Sequence, residues 1–364
     1  MDNRREVVMS LDKILLVGGA GYVGSILAEE LLERGYAIKI LDRLYFTDNG
    51  LRDIRDRVDL TIGDMRDVDP SIFDSVSAVI NLGGLSNDPT AEYNPKANYE
   101  MNTISTQTLA EMCKKQGIKR YIFASSCSIY DRGVKYDERD ILQDETSDVH
   151  PRAAYSKSKY DAERILLNMA DENFCPVILR KGTINGFSHR MRYDLVTNTF
   201  VKSAMTTGNL NLHYGGEMWR PIIDVRDAAR GYIACLEADE KRVRGEIFNL
   251  SLQNIRISEL GLRVREALRD VGVDTDIRPD YSYKGVRSYR VSNKKLARVL
   301  GFQPKISIEE SVIDLVKKIR HFGYTDFDNP KYNNIRWMKM LEEAHKIIKI
   351  TGSVFETSTE KTDG

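Results

Sequence analysis

Cysteine is scarce in this 364-residue chain, with four in all: Cys113, Cys127, Cys175 and Cys235. No two lie close in sequence, so the CxxC spacing of zinc and redox sites is absent. Such sparse use fits a reducing compartment. The five histidines form no HExxH pattern, and no metal is expected. Neither charge sign is in excess, with 54 Lys+Arg against 54 Asp+Glu. A chain without net charge gives no electrostatic reason to expect nucleic acid or an anionic membrane as partner. No stretch approaches the roughly 18–20 apolar residues of a membrane span. The opening MDNRREVVMSLDK has no apolar core of the kind that marks a signal peptide. A cytoplasmic protein is expected, with a short extension before the first strand. The polar stretch from Thr351 to Gly364 is expected to be disordered. There is no Pro/Ser-rich linker and no internal repeat.

What is present is an alternation of short apolar runs and helical patterns. The runs are KILLV (Lys13 to Val17), AIKIL (Ala37 to Leu41), VDLTI (Val58 to Ile62), AVINL (Ala78 to Leu82), RYIFA (Arg120 to Ala124) and PVILR (Pro176 to Arg180). Between them Val23, Ile26, Leu27 and Leu31 recur at helical spacing, and Asn102–Gln116 and Ser156–Met169 read as helices. Near-continuously apolar strands in a βαβα rhythm predict an α/β fold, a Rossmann-like doubly wound parallel sheet covered on both faces. The rhythm fades after Arg180. Asn185 to Trp219, rich in Gly, Asn, Arg and Tyr, reads as loops, while Ile247–Leu250 is placed back in the sheet. Ile257 to Arg320 carries two helical patterns and a loop at Tyr281–Tyr289. The expected division is 11–183 for the sheet domain and 184–320 for a smaller C-terminal lobe interleaved with it, 221–255 returning to the sheet. A C-terminal extension, 321–364, includes Trp337 and an amphipathic stretch Ile335–Ile350.

Gly18-Gly19-Ala20-Gly21-Tyr22-Val23-Gly24 follows the first strand and opens the first helix. Glycines there allow a tight turn and close approach of a pyrophosphate, which then meets the free N–H groups and positive dipole end of the helix. Strand before and helix after are the context a dinucleotide site requires. Asp42, ending the second strand, is placed to hold adenosine ribose hydroxyls and to repel a 2′-phosphate, favouring NAD over NADP. A solvated turn residue is the plainer alternative, and Arg43 beside it is what would accommodate a 2′-phosphate. Asp64, in Gly63-Asp64-Met65, either takes the adenine amine or caps a turn.

Tyr155-Ser156-Lys157-Ser158-Lys159 puts Tyr155 and Lys159 four apart, on one face of a starting helix. A tyrosine of pKa about 10 is a poor base at neutral pH. A neighbouring ammonium favours its phenolate, which can then take a proton from a hydroxyl as hydride leaves the same carbon. The alternative is a solvated surface pair. Its context is Ala124-Ser125-Ser126-Cys127-Ser128-Ile129-Tyr130, directly after a strand, at the end where open α/β sheets place ligands.

The glycine spacing and the Tyr/Lys pair together resemble the short-chain dehydrogenase/reductase superfamily, in its extended branch of NAD-dependent nucleotide-sugar epimerases and dehydratases, over about Lys13 to Leu315. The resemblance implies NAD as cofactor and Ser126, Tyr155 and Lys159 as catalytic residues, with Ser126 hydrogen-bonding the reacting sugar oxygen. It implies that Asn81-Leu82-Gly83-Gly84-Leu85 passes beside the nicotinamide and that Asn102 steadies the sheet near it. With Gly18, Gly21, Tyr22, Val23, Gly24, Asp42, Asp64 and Met65, the residues Leu82, Gly83, Gly84 and Asn102 make the expected cofactor site. Toward the sugar it implies Ser86, Ser128 and Thr183. Toward the diphosphate it implies Asn198, Arg220 and Arg287, with Arg290 a rival and an Arg–Asp network around Asp224 and Asp227 the structural alternative.

The departures carry information. Dehydratases of this branch bear an Asp-Glu pair after the catalytic Ser/Thr, where this chain has Cys127 and Ser128, so that route to water elimination is disfavoured. Thr183 stands where galactose-type 4-epimerases usually have Asn. Cys127 is either an acid/base or a small filler, and His189 either faces the sugar or is solvated. The resemblance thus implies an epimerase of a nucleotide sugar, expected to be a UDP-sugar changed at C4 through a transient ketone. A ketoreductase, dehydrogenase or dehydratase is the alternative, and a non-enzymatic NAD-binding module is weaker. Many relatives pair as dimers through helices matching Asn102–Gln116 and Ser156–Met169, and a homodimer is expected.

Overall fold

A computed structural model describes residues 13–131, 141–282 and 287–352. The extension before Lys13, residues 353–364 of the expected disordered tail and residues 283–286 of the loop Tyr281–Tyr289 lie outside these. The chain opens as β1 (Lys13–Val17), α1 (Tyr22–Glu33), β2 (Ala37–Asp42), β3 (Asp59–Ile62), β4 (Ala78–Asn81), α2 (Asp88–Tyr93), α3 (Pro95–Tyr99), α4 (Ser105–Lys115) and β5 (Arg120–Ser126). It continues through β6 (Leu142–Gln143), α5 (Ala154–Asn168), β7 (Cys175–Lys181), β8 (Thr183–Asn185), α6 (Val196–Thr207), β9 (Asn209–His213), β10 (Trp219–Asp224), α7 (Val225–Glu237), α8 (Glu240–Val243), β11 (Glu246–Leu250) and β12 (Gln253–Arg256). Then follow α9 (Ile257–Arg269), β13 (Asp276–Asp280), β14 (Arg290–Val291), α10 (Lys294–Leu300), α11 (Ile308–Phe322) and α12 (Asn334–Thr351).

The seven-stranded sheet has the order β11-β7-β5-β4-β1-β2-β3, and every pairing in it is parallel. Alternate residues of β1 serve opposite faces. Ile14 and Leu16 pack with Leu27 and Leu31 of α1 and Ala228 and Tyr232 of α7. Leu15 and Val17 pack with Leu109 and Cys113 of α4 and Ala162 and Leu166 of α5. This is the Rossmann-like doubly wound sheet the alternation predicts. Strand order reverses between β1 and β4, so the ligand crevice opens at their C-terminal ends.

A second core gathers α6, α9 and α11 through Phe200, Val264 and Val312. It sits beside a three-stranded sheet, β12-β10-β8. Here one expectation fails, because Asn185–Trp219 is not all loop: it contains α6, β9 and the last residue of β8. The apolar positions of α6, Val196, Phe200, Val201 and Ala204, hide among Thr, Asn and Ser, and the helix stops at Gly208 in a left-handed conformation. The irregular part, around Ser188 to Arg192, is buried.

The turn between β1 and α1 is shaped by its glycines. Gly18 has φ +76°, and a Cβ on Gly24 would lie 2.4 Å from the Gly18 carbonyl oxygen. Beneath the ends of β5 and β7, Arg180 and Glu163 form a buried ion pair of 2.6 Å, their side chains 3% and 1% exposed. Glu163 also accepts from the Ser125 hydroxyl, and Arg180 donates to the Tyr130 hydroxyl at 2.7 Å. This network fastens α5 to β5 and β7.

Two outcomes are expected. Arg180→Met, which leaves Glu163 charged and buried, should cost about 3–5 kcal/mol in urea unfolding, with the double substitution Arg180→Met, Glu163→Leu recovering most of it. Gly24→Ala should weaken NAD binding by at least about tenfold in a fluorescence titration, because the turn must shift to admit the methyl group.

Candidate active site

One cavity of about 510 Å³ runs along the crevice, lined by residues of both lobes. Of the expected residues, Gly18, Gly21, Tyr22, Val23, Gly24, Asp42, Asp64, Met65, Leu82, Gly83, Gly84, Ser86, Ser126, Ser128, Tyr155, Lys159, Thr183, Arg220 and Arg287 line it. Asn102, Cys127 and Asn198 do not.

At one end, α1 opens without a side-chain cap, so its first N–H groups are available to an anion. Asp42 ends β2, and its carboxylate accepts from the Ala20 N–H at 3.0 Å and the Leu44 N–H at 2.8 Å. Burial raises it, while these hydrogen bonds oppose the shift. Asp64 is held by Arg43 at 2.5 Å and Arg66 at 2.6 Å. Burial would raise its carboxyl, but the Arg66 hydrogen bonds and the Arg43 charge leave it below the usual range. Arg43 is thus engaged by an acid. An uncapped helix start, a turn no Cβ would fit and an acid at the end of β2 fit a dinucleotide, held by the glycine turn, Asp42 and Lys159.

At the other end, α5 carries Tyr155 and Lys159 on successive turns. Tyr155 is 7% exposed and Lys159 4%. Burial first, and Asp88 second, push the phenol up to about 12; Arg192, the Ser126 hydroxyl and Arg287 pull it the other way. The Lys159 ammonium lies 4.7 Å above the centre of the Phe123 ring, and burial holds it well below the ordinary lysine range. The expected lowering of Tyr155 by Lys159 is therefore not what the structure gives: burial outweighs the positive charges around the phenol. Ser126 ends β5, and its hydroxyl donates to Ser128 Oγ at 3.0 Å.

The residues off the cavity act behind it. Asn102 sits in a π-helical turn, Glu100–Ile104, which joins α3 to α4 and turns the side chain inward. Its amide donates to the Leu85 carbonyl at 3.0 Å and Ser158 Oγ at 3.1 Å, tying the loop after β4 to α5. Asn198, fully buried, donates to the Arg192 carbonyl at 2.9 Å and the Tyr22 hydroxyl at 3.1 Å. It fixes the buried segment that carries Arg190 and Arg192, behind the cavity wall. The Cys127 thiol points to the Arg180 carbonyl at 3.0 Å, outside the cavity lining, and burial pushes it up. His189 is neither solvated nor at the cavity; it is wedged between Asp53, 2.7 Å away, and Tyr324, 3.1 Å away.

Arg220 packs over the Tyr289 ring at 5.3 Å and donates to the Arg287 carbonyl. Arg287 pairs with Asp88. Arg290, the rival, lies instead over Trp219 at 4.6 Å. Sequence reasoning missed several cavity residues: Asp88, Lys181, Arg190, Arg192 and Asp194, and from the extension Asn333, Asn334, Ile335 and Met338. Arg192 grips Asp194 at 2.8 Å and donates to Ser86 Oγ at 3.3 Å. Asn334 donates to Ser86 Oγ at 2.9 Å, and Trp337 donates to the Tyr45 carbonyl at 2.5 Å. The Arg-x-Arg-x-Asp run, Arg190 to Asp194, was the available signal; nothing local in the extension announced its contacts.

Comparison with known proteins agrees with this geometry. The chain is 26% identical over 328 residues to a putative UDP-glucose 4-epimerase of Methanocaldococcus jannaschii, covering 86% of this chain and all of that one. It is 26% identical over 325 residues to a UDP-N-acetyl-alpha-D-glucosaminuronate decarboxylase of Bacillus cytotoxicus, covering 85% and 98%. The crystal structure of UDP-glucose 4-epimerase with UDP-glucose from Thermotoga maritima shares the fold, with TM-score 0.75 and 24% identity over 85% of this chain and 99% of that one. Residues 14–251 match the sequence profile of the NAD dependent epimerase/dehydratase family. With the glycine turn, the acid ending β2 and the Ser126/Tyr155/Lys159 cluster in one cavity, the chain belongs to that family and its cofactor is NAD.

Proposed function

We propose that the protein is a nucleotide-sugar epimerase acting at C4 of a UDP-sugar through a transient 4-keto sugar. The observation that carries this reading is one shared cavity. It places the Ser126/Tyr155/Lys159 cluster at the same crevice as the Arg220/Arg287 pair, as a substrate with a reacting sugar and an anionic diphosphate requires. Guanidinium groups suit phosphate oxygens. Tyr155 takes the proton of the C4 hydroxyl, and Ser126 hydrogen-bonds the same oxygen and holds it as its charge changes. NAD, when bound, supplies the acceptor for the hydride from that carbon. Tyr155 then returns its proton once the hydride has been delivered to the opposite face of the ketone. Lys159 is oriented by α5 to reach the nicotinamide ribose. Positions 127 and 128 offer a buried thiol and a hydroxyl, so the structure supplies no acid there for water elimination.

A decarboxylase of a nucleotide sugar is the second reading, favoured by the relative from Bacillus cytotoxicus. Both cycles regenerate NAD, which separates them from a net dehydrogenase. No helix among the described residues is long and apolar enough to cross a membrane. We place the protein in the cytoplasm as a homodimer, with α4 and α5 as the pairing helices by analogy.

The test is incubation with UDP-sugars without added reductant, followed by NMR. A new C4 isomer is expected; loss of CO2, or accumulation of NADH with a stable oxidised sugar, would replace the reading. Tyr155→Phe should lower turnover by about 10²–10⁴-fold while leaving NAD affinity within about twofold. Cys127→Ala should keep kcat within about threefold, since the thiol lies outside the cavity; a loss of about a hundredfold with folding intact would restore it as an acid/base.

A further inference from the structure

Two lysines line the cavity around the Ser126/Tyr155 cluster. Lys159 comes from α5. Lys181 ends β7, where strand register sets it opposite Ser126, and its Nζ donates to the Ser125 carbonyl at 3.0 Å. Both line the cavity. Among the described residues neither forms an ion pair. Glu163, the acid whose charge acts on Lys159, is already held by Arg180 and Ser125. The acids that line the cavity are engaged as well: Asp64 by Arg43 and Arg66, Asp88 by Arg287, Asp194 by Arg192, and Asp42, at the glycine-turn end, by the Ala20 and Leu44 N–H groups. Arg192 adds a further positive charge acting on Lys181. Burial pulls Lys181 down to about 8.

Sequestered cations with no carboxylate are unfavourable until an anion meets them. The anions already accounted for go elsewhere. The cofactor pyrophosphate belongs to the start of α1, and a substrate diphosphate belongs to Arg220 and Arg287. What remains to answer Lys181 is a group on the sugar itself, next to the phenol that moves the proton. A hydroxymethyl group can accept a hydrogen bond from an ammonium but cannot balance its charge.

We infer that Lys181 is a specificity-determining residue, and that the sugar carries a carboxylate: the substrate is a nucleoside-diphosphate hexuronic acid, whose acid group pairs with Lys181. This rests on the nucleotide-sugar reading above and narrows it. A cationic partner at that point rewards the acidic sugar over the neutral one, and a neutral side chain there removes the reward.

The experiment is calorimetric titration of the full-length, NAD-loaded protein with UDP, UDP-glucose and UDP-glucuronate. The wild type should bind UDP-glucuronate at least about tenfold more tightly than UDP-glucose, about 1.4 kcal/mol. Lys181→Met should bring that ratio to within about threefold of one, and Lys181→Arg should keep it above threefold. UDP, which lacks the sugar, reports whether each variant retains its nucleotide site; should Lys181→Met not fold, Lys181→Gln takes its place. Equal affinities in the wild type, or an undiminished ratio in the neutral variant, would overturn the inference. In both cases binding of UDP-glucose would leave the epimerase reading standing. Failure to bind UDP and both sugars would remove the nucleotide-sugar reading and this inference together.

Discussion

The buried pair of Arg180 and Glu163 joins the three elements that make the site. Glu163 belongs to α5, two turns beyond Tyr155, and Arg180 belongs to β7, next to Lys181. Through the Ser125 hydroxyl the pair reaches β5 immediately before Ser126, and through Tyr130 it reaches Asn249 of β11, whose amide oxygen accepts at 2.9 Å. An ion pair sequestered to this degree is weak evidence for stability, since desolvation of both charges offsets their attraction. Its consequence is geometric. Every charged atom in it has a partner, so sliding α5 along the sheet would expose a charge to apolar surroundings. Tyr155 and Ser126 come from segments far apart in sequence, and a fully satisfied polar network is one way to fix their separation.

Around that frame the cavity is ordered by charge. The dinucleotide end offers the uncapped start of α1 and two carboxylates, Asp42 and Asp64, the second tied into a cluster with Arg43 and Arg66. Toward Tyr155 basic residues dominate: Lys159, Lys181, Arg192, Arg220 and Arg287 against Asp88 and Asp194. That imbalance is absent from the composition, where Lys+Arg and Asp+Glu cancel at 54 each. Neutrality of the whole chain therefore says nothing about this crevice, and the fields that matter there are set by placement.

Legibility in the sequence follows how local each signal is. The glycine turn and the Tyr155/Lys159 pair were readable because strand, turn and helix positions fix their geometry within a few residues. The parallel sheet was readable because its strands are buried on both faces and so are nearly unbroken apolar runs. Asn102 steadies the loop after β4 as expected, while Asn198, read toward a diphosphate, donates its amide to the backbone of the buried arginine segment. A buried asparagine leaves the same trace in a sequence whichever partner it has. Helix α6 escaped because Thr and Asn interrupt its apolar stripe. Lys181 lies one residue beyond the apolar run Pro176 to Arg180, and only its register opposite Ser126 brings it to the cavity. Tyr155 marks a different limit. Its spacing to Lys159 is a covalent fact, but its acidity is set by burial and by Asp88, which is 67 residues away along the chain.

The extension shows the same limit at larger scale. Asn334 starts α12 and is buried. Its amide donates to Ser86 beyond β4, its backbone N–H donates to Asp194 at 3.1 Å, and its side-chain oxygen accepts from Arg190 at 2.5 Å. One turn on, Trp337 binds the carbonyl of Tyr45, beyond β2. A single helix start thereby touches the cofactor side of the crevice, the loop toward the sugar and the buried arginine segment of the second lobe. Farther on, Glu342 accepts from the Tyr93 hydroxyl of α2 at 2.6 Å, while Met340, Ile347, Ile348 and Ile350 are exposed, so α12 is held over its first half rather than along its length. A wall fixed at both sides of a cavity narrows the paths by which water and ligand pass, which strengthens each electrostatic interaction inside. The cavity around Tyr155 and its basic neighbours is thus walled partly by residues beyond the segment that matches the family, 14–251.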